Sequence, residues 1–298
     1  MATELGVPHP WTFCPKNLDE VAALECSFPI LLKPARRDEL NPLTFEKAWV
    51  VHDRRELLAR YDDAAAMMGP DAVMLQEWIP GNGEHQYAFA CLALGGVPLA
   101  SLTVQRRRQW PIDFGRSSSY VVTVDEPEVE SLSRRLLRAT GFTGLVEIEF
   151  KFDSRDGSYR LLDVNPRIWG WHTLGYAVGI DFPYLLWTLL NGGTVPQLHS
   201  SAGVRWVRML TDLPAAAREL VNGATGPLEY LQTLRPPIAT AIFAIDDPLP
   251  FLAEVPLMIW SRISHKLNTT RLAPAPGATH NPAVSRREKT QSGTGLAA

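Results

Sequence analysis

The 298-residue sequence has three cysteines, and Cys14, Cys26 and Cys91 show neither a C-x-x-C spacing nor a histidine cluster beside them. They read as reduced, structural thiols rather than as a disulfide framework or a zinc site. No stretch approaches the roughly 18 consecutive apolar residues of a spanning helix, and Met1–Pro10 carries no basic segment ahead of an apolar one. The expectation is therefore a cytoplasmic protein with no membrane partner. A strong charge of either sign is also missing, since the formal net charge is -3. Without a whole-protein basic field, nucleic acid is not expected as a partner. Neither a P-loop G-x-x-x-x-G-K-[ST] nor a Rossmann G-x-G-x-x-G occurs, so any nucleotide site must be built from other residues. No internal repeat of 20 to 50 residues is present.

What is there is ample core: 46% of the residues are hydrophobic, enough for one large domain or two lobes. Leu18–Cys26 has helical character after Asn17. Phe28–Pro34 reads as a short buried strand with Lys33 at its end, Ala48–Val51 as a strand, Arg54–Ala66 as a helix and Val73–Trp78 as a strand closed by Pro80-Gly81. Together residues 1–78 form a small α/β lobe. In 79–200, apolar and β-branched runs at Tyr87–Leu94, Pro98–Val104 and Tyr120–Val124 predict antiparallel strands. Pro127–Ala139 predicts a helix, with proline in its first turn, acids early and arginines late. Residues 201–266 mix helices and strands as a C-terminal extension. Residues 267–298 are rich in Pro, Gly, Ser and Thr and read as a disordered tail. The fold class is α+β.

The richest chemistry lies in Val146-Glu147-Ile148-Glu149-Phe150, where alternation puts both carboxylates on one face of a strand. Leu162-Asp163-Val164-Asn165 repeats the alternation, and Ser154-Arg155-Asp156-Gly157-Ser158 supplies a hairpin turn between the two. A two-residue Asp156-Gly157 loop would set Glu149 against Val164 and mix the faces. A three-residue Arg155-Asp156-Gly157 loop sets Glu149 opposite Asp163 and Glu147 opposite Asn165. Opposed residues have Cβ atoms about 4.5–5.5 Å apart, where two carboxylates repel unless a cation lies between them. Carboxylate and amide oxygens suit magnesium, which completes its shell with water and phosphates. The competing reading is a solvated acidic face paired to arginines. Asn165-Pro166-Arg167 ends the strand and sets a permanent positive charge beside the acids.

These residues resemble the ATP-grasp superfamily, and its carboxylate–amine ligase branch in particular. Glu149-Phe150 with Leu162–Arg167 is similar to its metal-binding strand pair. Phe28–Pro34 is similar to the strand carrying the nucleotide lysine, and Leu75–Gly81 to the hinge that holds adenine. The matches run in order from about Gly6 to Gly193. The resemblance implies two α/β lobes whose antiparallel sheets clamp ATP. It implies Lys33 on the α- and β-phosphates, backbone groups of Gln76, Glu77 and Ile79 at the adenine, and Glu84 at the ribose. It further implies magnesium on Glu149, Asp163 and Asn165, and Arg167 on the transferred phosphoryl group. Asp163 stands where the family usually has glutamate, which shortens its reach.

Arg106-Arg107-Arg108-Gln109-Trp110-Pro111, with Phe114-Gly115-Arg116, is a basic cluster read either as a solvated loop or as a phosphate or carboxylate contact through Arg108. An RNA-binding reading of the same cluster ranks last. Trp169, Trp171 and His172 read as core packing with a satisfied histidine. Leu5–Thr12 is similar to the segment that follows an N-terminal α/β domain in this family. The expected partners are small-molecule carboxylate and amine substrates, with a separate chain supplying that domain or a homodimer. The expected activity is ATP- and magnesium-dependent ligation through an acyl phosphate. The alternative is a truncated homologue that binds nucleotide or a partner without ligating.

Overall fold

The protein was analysed as a computed structural model, which describes residues 1–36, 41–81, 83–110 and 117–272. Residues up to Glu77 build a four-stranded antiparallel sheet in the order β1-β4-β2-β3. Its elements are β1 (Thr12–Phe13), α1 (Leu18–Ala23), β2 (Ile30–Pro34), α2 (Pro42–Glu46), β3 (Trp49–Val51), α3 (Arg54–Met68) and β4 (Val73–Glu77). Local sequence sets the helix starts. The side chains of Asn17, Asn41 and Asp53 each accept the amide hydrogen bond of the residue three positions on, satisfying a donor with no partner inside the helix. Ile30, Leu32, Val73 and Leu75 alternate inward and bury completely against Leu57 and Tyr61 of α3.

The second sheet has eight strands. Seven run in the order β12-β11-β7-β6-β5-β8-β9, and β10 pairs with β6. They are β5 (Gln86–Leu94), β6 (Val97–Trp110), β7 (Ser117–Thr123), β8 (Gly144–Asp153), β9 (Ser158–Asn165), β10 (Leu198–His199), β11 (Arg205–Val207) and β12 (Ile238–Thr240). The helices among and beyond them are α4 (Pro127–Thr140), α5 (Leu174–Ala177), α6 (Phe182–Leu190), α7 (Met209–Val221) and α8 (Pro227–Thr233). The sheet is antiparallel except where β10 meets β6 and β11 meets β12. Thus 205–207 and 238–240, within the stretch read as an extension, share a sheet with the strands before residue 200.

Both faces of this sheet are covered. Val146, Ile148 and Phe150 of β8 and Phe89 and Cys91 of β5 pack on Val129, Leu136 and Leu137 of α4. The alternate residues Ala88, Ala90, Leu92, Leu102, Val104 and Val121 face Trp169, Trp171, Leu174, Phe182 and Trp206. Burying an Ile or Phe side chain contributes about 1.5–3 kcal/mol, so the two apolar layers fix the sheet and its register together. The helix α4 ends at Gly141, whose left-handed φ of +59° lets its amide reach the carbonyl oxygens of Leu137 and Arg138.

Residues from Ile245 onward form a separate unit. Its described part is one helix, α9 (Leu249–Leu272), with Pro256 inside it. This helix takes in residues 267–272 of the expected tail; from 273 on, the tail lies outside the described residues. Among the described residues no helix is long and apolar enough to cross a membrane.

Candidate nucleotide and metal site

The register along β8 and β9 pairs Glu149 with Asp163 and Glu147 with Asn165, as the parity argument predicts. The turn that produces it differs. Asp153 pairs with Ser158, so the loop has four residues, Ser154 to Gly157, rather than three. Taken alone that loop would put Glu149 opposite Leu162. A bulge between Phe150–Leu161 and Glu149–Asp163 leaves Leu162 as the extra residue and restores the face. Gly157, at φ +73°, takes the left-handed position in the turn.

Because Val146, Ile148 and Phe150 face α4, alternation sends Glu147, Glu149 and Lys151 to the opposite face. The cross-strand neighbours of Glu147 and Glu149 on β5 are Ala90 and Ala88, small side chains that leave space above the acids. Asn165 Nδ2 lies 3.2 Å from Glu149 Oε1 and 3.4 Å from Glu147 Oε2, so one amide bridges two carboxylates. Glu147 is buried and also accepts from Trp171 Nε1 at 2.9 Å. Burial, and next the charge of Glu149, push the Glu147 carboxyl well above the usual carboxylate range. Arg106 approaches Glu149 Oε1 at 3.4 Å, and Arg167 donates to Asn165 Oδ1 at 3.2 Å. Asp163 is exposed and accepts the amide of Val164 through Oδ1 at 2.9 Å.

This donor set fits a hard divalent cation. It offers carboxylate and amide oxygens only, with Arg106 drawn to Glu149 and Arg167 to the Asn165 amide oxygen. Among the described residues no three His, Cys, Asp or Glu side chains form a cage by themselves. Magnesium is usually held by one or two protein carboxylates and keeps other positions for water and phosphate.

The small sheet presents its own part of the site. Lys33 Nζ donates to Gln76 Oε1 at 2.7 Å, and Gln76 Nε2 donates to Thr12 Oγ1 at 3.2 Å, tying β2, β4 and β1 together. Ile79 is buried. Glu77 accepts from Arg155 of the β8–β9 turn at 2.5 Å and from the Trp11 amide at 3.3 Å, so its side chain joins the two sheets.

Arg108 and Glu84 are not brought to the acids. The basic cluster up to Trp110 is strand, not loop, while Pro111, Phe114, Gly115 and Arg116 lie outside the described residues. Arg106 pairs with Val121 on the acid face, but a bulge at Arg107 sets Arg108 opposite Tyr120, whose side chain alternates to the other face. There Arg108 forms a two-pronged ion pair with Asp212 of α7, at 2.8 and 3.0 Å, and a hydrogen bond to Thr233 Oγ1 at 3.1 Å. Its guanidinium carbon lies 4.3 Å from the Tyr120 ring centroid and 5.1 Å from that of Tyr230. Asp212 is fully buried, so this pair holds α7 to the sheet. Glu84 is exposed and lines a cleft with Arg107, Arg108, Tyr120, Arg205 and Glu219 rather than with Lys33 and Gln76.

Four contributors were missed in the sequence. Glu147 appears in the register argument but was given no role, and Arg106 was passed over for Arg108. Arg155 was read as a turn residue only. Lys151 follows Glu149 at the same-face spacing, a signal that was available.

Comparison with known proteins bears on the same residues. Residues 70–211 match the model of the family described as ATP-grasp in the biosynthetic pathway with Ter operon. The chain is 27% identical over 191 residues to D-aspartate ligase of Enterococcus faecium (strain Aus0004), a match covering 55% of this chain and 41% of the relative. The chain thus spans less than half of that relative's length. Among solved structures, the biotin carboxylase domain of the 2-oxoglutarate carboxylase of Hydrogenobacter thermophilus, solved with MgADP and bicarbonate, superposes with a TM-score of 0.54 at 16% identity. That match covers 68% of this chain and 46% of the other. N5-carboxyaminoimidazole ribonucleotide synthetase of Thermus thermophilus gives 0.51 at 16% identity, covering 68% and 52%.

Proposed function

We propose that the chain, whose residues 70–211 match an ATP-grasp family model, binds magnesium-ATP between its two sheets and activates a carboxylate for attack by an amine. The carboxylate oxygen would displace ADP from the γ-phosphorus, giving an acyl phosphate. The amine would then form the C–N bond, losing a proton as phosphate departs. Phosphoryl transfer of this kind asks for positioning and charge neutralisation and needs no covalent nucleophile from the protein.

The observation that carries this reading is the pairing of Glu149 with Asp163 beside Asn165, with Arg106 on Glu149 and Arg167 on Asn165. Glu149, Asp163 and Asn165 would hold magnesium, which when bound offsets the charge of the phosphates. Lys33 would meet the phosphates from the small sheet. Backbone groups of Gln76, Glu77 and Ile79 would meet the adenine, and Arg167 would offset charge on the transferred group. Arg108 has no part in this reading, because its guanidinium is paired with buried Asp212 and with Thr233 on the other face of the sheet. Glu84 is left out because its side chain lines the other cleft.

The named activity of D-aspartate ligase supports amino-acid-like carboxylate and amine substrates. A second chain or a second copy at the substrate site belongs to the proposal. A second reading is a nucleotide- or partner-binding protein that does not ligate. ADP release measured with mixtures of carboxylates and amines separates the two. Release that requires both substrates supports ligation, and ATP binding without any such release supports the second reading.

A further inference from the structure

Lys151 is a charged side chain in an expensive place. It stands on β8 two residues beyond Glu149, on the face of the acids, and its Nζ reaches across to the segment that follows β4. There it donates to the Gly81 carbonyl at 2.7 Å and lies 5.3 Å from the Trp78 ring centroid. The acceptor is held by its own backbone. Gly81 has φ +99°, and a Cβ there would fall 2.6 Å from the His85 ring, so only glycine fits that turn.

Among the described residues Lys151 forms no ion pair; its partners are a neutral carbonyl and an aromatic face. Lys33 Nζ on Gln76 Oε1 and Lys151 Nζ on the Gly81 carbonyl bring two cations, one from each sheet, to the same segment at the end of β4. A partly buried ammonium held by a neutral carbonyl rather than by an ion pair costs stability, and a methionine stem of similar length would pack there without that cost. A convergence of this kind is what an anion would relieve.

The direction of β8 says which anion. Glu149 and Lys151 are separated by two residues, about 6.6 Å along a strand. A nucleotide whose outer phosphates lie at Glu149 and whose base lies at the segment after β4 passes over Lys151 on the way. We propose that Lys151 is a second phosphate-neutralising lysine, supplied by the large sheet, which closes with Lys33 on the nucleotide phosphate nearest the ribose. This inference rests on the nucleotide reading above, and it adds that the charge is shared between the two lobes.

The test is calorimetric titration of MgADP and, separately, adenosine into wild type, Lys33→Met, Lys151→Met, Lys151→Gln and Lys151→Arg. Loss of one charge-assisted phosphate contact predicts about a tenfold or greater weakening of MgADP for Lys151→Met and Lys151→Gln. Lys151→Arg should stay within about threefold of wild type, and adenosine should change less than about twofold in all Lys151 variants. The ligand-free Lys151→Met protein should melt at or above the wild-type temperature. Unchanged MgADP affinity in both neutral variants, or an equal loss for adenosine and MgADP, overturns the proposal. If wild type binds neither ligand while folded, the nucleotide reading itself fails, which is a distinct outcome.

Discussion

Glu149 faces Asp163 across two adjacent strands because Leu162 is bulged out of the ladder between them. The four-residue turn and the bulge each shift the register by one, and the two shifts cancel. The consequence is a row of Glu147, Glu149 and Lys151 along one face, with Asn165 bridging the two acids. Such a row is poorly matched to itself and well matched to a cation followed by an anion.

A first prediction concerns stability without ligand. Glu147 and Glu149 share one amide, and the charge of Glu149 works against ionisation of buried Glu147. Glu149→Gln removes that repulsion at the cost of a partly exposed contact with Arg106. The ligand-free variant should melt at or slightly above wild type in thermal denaturation. A clear drop in melting temperature would assign Glu149 to structure instead.

The opposite is expected of Asp212. Replacing it by asparagine leaves the Arg108 charge buried against α7 without a counter-charge, and breaking a buried pair costs about 3–5 kcal/mol. Urea denaturation of Asp212→Asn should show a loss of that size. MgADP affinity of the remaining folded protein should stay close to wild type, since Arg108 and Asp212 lie on the face away from the acids. A large affinity loss at unchanged stability would instead return Arg108 to the nucleotide site.

Arg155 gives an internal comparison and a pH dependence. It holds Asp153, which is fully buried, through Nε at 2.8 Å and Nη2 at 2.6 Å, and it reaches the less buried Glu77 from a half-exposed position. These hydrogen bonds keep the Asp153 carboxyl below its ordinary value of 3.8. A lowered native pKa means that the contribution is complete above 3.8 and is lost as pH falls through the native value. Asp153→Asn should therefore be less stable than wild type at about pH 7, with the gap narrowing toward about pH 2–3. Glu77→Gln should cost at most about 1 kcal/mol, the range of exposed pairs. Urea titrations at both pH values check the ordering, and a gap for Asp153→Asn that widens in acid would contradict it.

Much of the site was legible because it is written in strand parity. Val146–Phe150 and Leu162–Asn165 alternate strictly, and a misplaced register would expose one side's apolar residues. Lys33 at the end of a buried strand and Gln76 on β4 were legible for the same local reason. The contact between Arg108 and Asp212 was not, because it spans 104 residues and depends on a bulge at Arg107 that no local pattern announces. Leu162 shows the same limit, since the right pairing followed from a turn one residue too short. Strands β11 and β12 fall in a stretch legible only as mixed helix and strand, because three residues carry too little periodicity to bound a strand.

The central claim is that the β8–β9 hairpin holds magnesium for a nucleotide. Titrating ATP into wild type with magnesium, into wild type with EDTA, and into Glu149→Gln and Asp163→Asn with magnesium tests it most directly. The account predicts saturable binding in the first case and at least about tenfold weaker binding in the other three, the scale of one lost charge-assisted contact. Equal affinity in all four, or no binding to folded wild type with magnesium present, would contradict it.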